Sequence, residues 1–300
     1  MTRLLIILLL VIPAAAALAA PVVVFQVETE SGRAVAEDCH RIWRAEGAEV
    51  TRAVLGTGPS ADLADTVLCL VLDTESFQDH FGGALPDWGV GAAVPGGRVV
   101  AIDHTRIPAV GRGVREVFLH EMVHALLFQG AGEAWLPAWF HEGTAMLVSG
   151  EWRFSDTVSL IFDGQVPDLA TLQGRFPVAH TRADRAYRTS LLAVNRLGEL
   201  YGRGVVPDLV AATKKNGNFF TAFSEVTGDE LDVFERDFAQ AMRLRFGWML
   251  FLTRWPGLFV LLAVVLAVGG ARKIILTRRR LADMEDDGED HGTVISPPGG

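Results

Sequence analysis

His120-Glu121-Met122-Val123-His124 lies inside an apolar run, Val114 to Gln129, and its reading decides how the rest of the chain is arranged. On an α-helix, residues four apart share one face. Two imidazoles at that spacing reach one metal ion, while the glutamate between them faces the water that the metal activates. The surrounding run is apolar on every side, as expected of a helix buried in the middle of a domain. Two imidazoles and a carboxylate in such a place require either a metal or a set of hydrogen bonds inside a core.

A tetrahedral catalytic zinc takes three protein ligands and leaves a fourth position open for water. The pattern H-E-x-x-H-x-x-G-x-x-H is excluded, because Leu127 and Gly130 stand where it needs Gly and His. The other source is a carboxylate on a following helix. The segment Leu136-Pro137-Ala138-Trp139-Phe140-His141-Glu142-Gly143-Thr144-Ala145 follows a loop through Gly130, Gly132 and Pro137, and offers His141 and Glu142. Adjacent helical residues point about 100° apart, so the two cannot both face the same metal. Glu133, in the Gly-flanked loop, is expected in solvent. Glu116, one turn before His120, is either an acceptor for the outer nitrogen of a ligand histidine or an ordinary surface carboxylate.

Together, H-E-x-x-H and the later P-x-W-[LF]-x-E-G-x-A segment, Pro137 to Ala145, resemble the gluzincin metallopeptidases, and among them the membrane-associated peptidase MA-like group. The resemblance spans roughly residues 22 to 245, and the two motifs carry it. It implies an α+β, thermolysin-like zincin with an N-terminal α/β lobe, a zinc helix and a helical C-terminal lobe. It makes Glu142 the third ligand, beside His120 and His124, for one Zn2+ per chain, with Glu121 as the general base in peptide-bond hydrolysis. A Tyr or His after the third ligand serves the oxyanion in resembling families. Tyr187 is the expected residue, with His180 the alternative; Tyr187 is also readable as a packed tyrosine. Tyr201, before Gly202, reads as part of a helix end.

The two ends of the chain set the compartment. Residues 1–20 read as a secretory signal, with Arg3, the apolar stretch Leu4 to Ile12, and Ala17-Leu18-Ala19 as the cleavage site. Residues 255–275 read as a transmembrane helix, and Arg272, Lys273, Arg278, Arg279 and Arg280 follow or close it. By the positive-inside rule that end is cytoplasmic, which leaves the catalytic part outside the cytoplasmic membrane, periplasmic in a Gram-negative cell. Residues 276–300, acidic and ending Ser296-Pro297-Pro298-Gly299-Gly300, read as a disordered tail. They carry part of the net charge of −9, and nothing resembles a nucleic-acid-binding surface.

Between the ends, residues 21–110 are expected to form the α/β lobe. Val22 to Val27 and Thr66 to Leu72 read as strands, Ala34 to Ala48 and Ser76 to Phe81 as helices, and Gly89 to Val94 with Arg98 to Asp103 as a hairpin. Residues 111–245 hold the zinc-site helices and the helical lobe: Leu136 to Gly150, Ala186 to Leu200, Val206 to Thr213, Phe219 to Val226 and Asp229 to Phe246. Ser149 to Arg185 reads as a loop over the cleft. Cys39 and Cys69 are either a disulfide or two buried thiols. The function expected is a membrane-anchored zinc peptidase acting on peptide or protein. A zinc hydrolase of a non-peptide envelope amide and a silent peptide-binding relative are the alternatives.

Overall fold

The computed structural model describes residues 6–8, 20–57, 66–82, 89–151, 167–174, 176, 180–253 and 255–289. The chain is mixed α+β and mostly helical, with one small sheet of order β1-β2-β3-β5-β4. The strands are β1 (Ile6–Leu8), β2 (Val22–Val27), β3 (Thr66–Leu72), β4 (Gly91–Ala93) and β5 (Val99–Asp103). β2, β3 and β5 run parallel, in register from Val22↔Thr66 and from Leu68↔Val99, and β4 closes an antiparallel hairpin on β5. Alternate residues of β2 and β3 turn inward, so Val23, Phe25, Val27, Val67, Cys69 and Val71 form one wall of the core.

Within residues 1–20, β1, pairing antiparallel with β2, and Ala20 are described; the cleavage site Ala17-Leu18-Ala19 and the rest of the expected signal lie outside the described residues.

Helix α1 (Glu30–Leu55) is longer than its apolar periodicity predicts. Thr29 caps it by accepting from Gly32 N, and Val50, Thr51 and Val54 continue its buried face to Gly56. Cys39 on α1 and Cys69 on β3 are free thiols, both buried. After α2 (Thr74–Phe81) and the hairpin comes α3 (Val114–Ala131), the helix that carries H-E-x-x-H, buried on nearly every side. Phe118 stands 6.1 Å from both Phe25 of the sheet and Trp43 of α1, between ring centroids. The hairpin turn is pressed onto the same helix. Gly97 has φ +67°, and a Cβ there would lie 2.1 Å from Ala125 O.

Helix α4 (Ala138–Ser149) carries the second motif, and α5 (His180–Tyr201), α6 (Val205–Asn216), α7 (Phe219–Thr227) and α8 (Leu231–Thr253) complete the helical part. α5 begins at His180 rather than Ala186, because Thr181 to Arg185 contains no helix breaker. Of the expected loop Ser149 to Arg185, residues 152–166, 175 and 177–179 lie outside the described residues, while Leu169–Leu172 forms a short 3-10 turn and His180 to Arg185 belongs to α5. α4 and α5 touch at Gly143, where a Cβ would sit 2.2 Å from Ser190 O.

The chain divides into two units, Met1–Arg243 and Leu244–Gly300. In the second, α9 (Trp255–Glu289) contains a span, Phe259–Arg278, that is long and apolar enough to cross a membrane, with mean hydropathy 2.2. The helix does not stop at Ile275. Residues 276–289, expected in the disordered tail, continue it, since no Gly or Pro interrupts the helix formers between Leu276 and Asp287.

Candidate metal centre

One helical turn of α3 separates His120 from His124, and their Nε2 atoms stand 3.0 Å apart. Glu142, from the first half of α4, places Oε2 3.4 Å from each of them. The donor atoms of all three lie within 4.8 Å of one another. Zinc ligands sit about 2.0 to 2.1 Å from the metal, so in a tetrahedral set they stand roughly 3.3 Å apart. The observed spacings match that set. Glu142 Oε2 is, moreover, buried with no hydrogen-bond partner, an expensive state for a carboxylate oxygen unless a cation serves it. On both counts the residues present fit a zinc ion.

His141 does not join the cluster. It lies on the outer side of His124, with Nδ1 2.6 Å from His124 Nδ1 and the rings stacked at 4.8 Å. Of the two candidates on α4, Glu142 is therefore the one that meets both Nε2 atoms.

The electrostatics of the cluster favour a positive centre. Burial pulls the His120 imidazole down, but Glu151 and Glu142 outweigh it and hold the ring well above its ordinary value. Burial pushes Glu142 up, and His124 and His120 more than reverse this, holding the carboxyl well below the usual range. The same carboxylates that raise His120 would favour a metal cation between them. The His141 ring is pulled down to about 3, by burial first and by His124 next, and is neutral.

Glu121 is buried, and both the cavity and β4 border it. Gly91 makes the room: a Cβ there would lie 2.3 Å from Glu121 Oε1. Burial pushes the Glu121 carboxyl up, against the opposing pull of His120 and His124. The cavity, about 600 Å3, is lined by the motif residues together with Gly91, Phe128, Leu136, Arg112 and Tyr187.

Tyr187 therefore faces the same space as Glu121 and Glu142, braced edge-on by Phe176 at 5.0 Å. Burial, then the Glu142 charge, pushes its hydroxyl well above the ordinary value, so the hydroxyl keeps its proton. The His180 side chain lies outside the described residues. Tyr201 donates to Asp229 Oδ2 at 2.7 Å and is no part of the cavity lining. Glu133 is exposed.

Glu151 and its partner Arg112 escape the motif reading. Glu151, just past the end of α4, has Oε1 3.0 Å from His120 Nδ1, within hydrogen-bond distance though turned off the ideal line. Its Oε2 is 3.3 Å from Arg112 Nη1. Glu116, considered for that place, instead accepts from Gly113 N at 3.1 Å and closes the first turn of α3. The only hint of Glu151 in the sequence is a carboxylate directly after a helix-ending glycine, Gly150.

No protein-family model matches the chain. It is similar to the uncharacterized protein YhcO of Bacillus subtilis (strain 168), at 26% identity over 132 residues. That match covers 41% of this chain and 40% of YhcO, so the chain spans about two fifths of the length of the curated relative.

Proposed function

We propose that this chain is a membrane-anchored zinc metallopeptidase of the gluzincin type, with its catalytic part on the extracytoplasmic side. The observation that carries this is the convergence of His120 Nε2, His124 Nε2 and the unpartnered Glu142 Oε2, with Glu121 on the same cavity.

His120, His124 and Glu142 would hold the ion. A zinc there supplies Lewis acidity and lowers the pKa of bound water. The protein's residues carry the rest. Glu121 takes the proton of the attacking water and passes it to the leaving amine nitrogen. Tyr187 donates its hydroxyl proton in a hydrogen bond to the carbonyl oxygen as negative charge builds there. The β4 backbone, beside Glu121, offers an edge for an extended peptide. The apolar span Phe259–Arg278, with Arg272, Lys273 and Arg278 to Arg280, supports an anchor with a cytoplasmic C-terminus.

The test compares wild type with Glu121→Gln on a peptide library. Cleavages present in wild type and absent from the variant, at equal zinc content, are expected. A fully active Glu121→Gln would remove the proposed base.

A further inference from the structure

The two histidines of the cluster differ in what their outer nitrogens meet. His124 Nδ1 meets a second imidazole nitrogen, His141 Nδ1 at 2.6 Å. His120 Nδ1 meets a carboxylate, Glu151 Oε1 at 3.0 Å. We propose that Glu151 and His141 are positioning residues that lock His120 and His124 as Nδ1–H tautomers, with both Nε2 lone pairs presented to the metal. This rests on the zinc reading above and adds to it which residues tune the site.

The tautomers follow from counting protons. A neutral imidazole has one N–H and one lone pair. If both Nε2 atoms give lone pairs to a metal, both protons sit on Nδ1. With the His120 proton on Nδ1, the atom it faces is Glu151 Oε1 at 3.0 Å, an oxygen able to accept. His124 Nδ1–H needs an acceptor as well, and the atom 2.6 Å away is His141 Nδ1. His141 must then carry its own proton on Nε2. Outer-shell partners of this kind raise ligand basicity and fix ring orientation.

The chain spends several contacts on placing Glu151. Gly150, with φ +76°, ends α4 in a left-handed turn and redirects the backbone. Arg115 Nη1 donates to Ser149 O at 2.8 Å, while its Nε donates to Glu46 Oε1 of α1, also at 2.8 Å. Arg112 balances the Glu151 charge from the other side. Using an imidazole rather than a second carboxylate behind His124 avoids a further buried negative charge next to Glu142, Glu151 and Glu121.

The test uses the full chain in detergent. Zinc affinity is measured by competition with a chromogenic chelator, and the visible absorption of the cobalt-substituted protein is recorded. Glu151→Ala is expected to weaken zinc binding about 10- to 100-fold and His141→Ala about tenfold, each with an altered cobalt band. His141→Asn, which keeps an acceptor oxygen near the Nδ1 position, is expected to stay within about threefold of wild type. Should Glu151→Ala fail to fold, Glu151→Gln is read in its place, with a loss of about tenfold. Wild-type affinity and spectra in both alanine variants would overturn the proposal, as would an equal loss in His141→Asn and His141→Ala. A wild-type chain that binds no zinc would overturn the metal reading itself, before any variant is compared.

Discussion

Gly91 and Glu121 occupy the space of a single side chain: a Cβ on Gly91 would stand 2.3 Å from Glu121 Oε1 and 2.7 Å from its Cγ. Gly91→Ala must therefore push the carboxylate or the β4 strand aside. Activity is expected to fall by about 10- to 100-fold, because a displacement of about 1 Å at a reacting group costs on that order. Zinc content should be unchanged, since the atoms nearest to the added Cβ all belong to Glu121. Parallel kcat and zinc measurements check this, and loss of zinc in Gly91→Ala would contradict it.

Gly143 serves packing rather than chemistry. Its missing side chain lets α4 lie on Ser190 O of α5, where a Cβ would approach to 2.2 Å of a backbone atom that cannot rotate away. Gly143→Ala is expected to destabilise the fold by about 3 kcal/mol, toward the upper end of overpacking costs. It should also weaken zinc binding, because Glu142 is the preceding residue. Denaturant unfolding with and without zinc measures both effects.

Glu235 is buried and accepts from Gln173 Nε2 at 2.8 Å. Burial pushes its carboxyl above the ordinary value of 4.5, against the downward pull of that hydrogen bond. A carboxyl raised on folding keeps its proton in the native state at a pH where the unfolded chain has lost it. Its contribution is thus most favourable at low pH and declines as pH rises from about 4.5 through the folded value. Glu235→Gln should raise the unfolding temperature at pH 7, and the gain should vanish near pH 4. A gain that grows on acidification would contradict this sign.

Both cysteines are buried, and burial pushes Cys39 up to about 12 and Cys69 well above its ordinary value. Neither thiol is expected to react with an alkylating reagent at pH 8 in the native protein. Both should be labelled after denaturation without reductant, as read by mass spectrometry. No labelling after denaturation would mean that the pair is oxidised.

Much of this architecture is legible in the sequence. β2 and β3 are dense in β-branched residues between turn-forming segments, and the helical lobe follows its apolar periodicity. Boundaries set by one cap or by continued propensity are harder to read, as at Thr29 of α1 and beyond Ile275 in α9. The helix periodicity of 3.6 brings His120 and His124 together, and Glu142 is reached through a second motif. Glu151 is not legible in this way. It lies outside every periodic segment, and its partners are far earlier in the chain, His120 on α3 and Arg112 in the segment before α3. Gly91 and Gly143 look like ordinary turn and helix glycines until the neighbouring chain is in place.

The Glu142 carboxylate separates a metal centre from a buried polar cluster. Its Oε2 is buried, makes no close hydrogen bond and stands 3.4 Å from two imidazole nitrogens, a place that either a metal cation or a protonated imidazole would serve, and metal binding distinguishes the two. Glu142→Ala should lower zinc affinity by at least about 100-fold, since it removes one of three protein ligands.

The most direct measurement is the metal content of the full chain purified in detergent, by elemental mass spectrometry. One zinc per chain is expected, lost when His120 and His124 are replaced by alanine together. A folded wild-type chain without stoichiometric zinc after exposure to the metal would contradict the account.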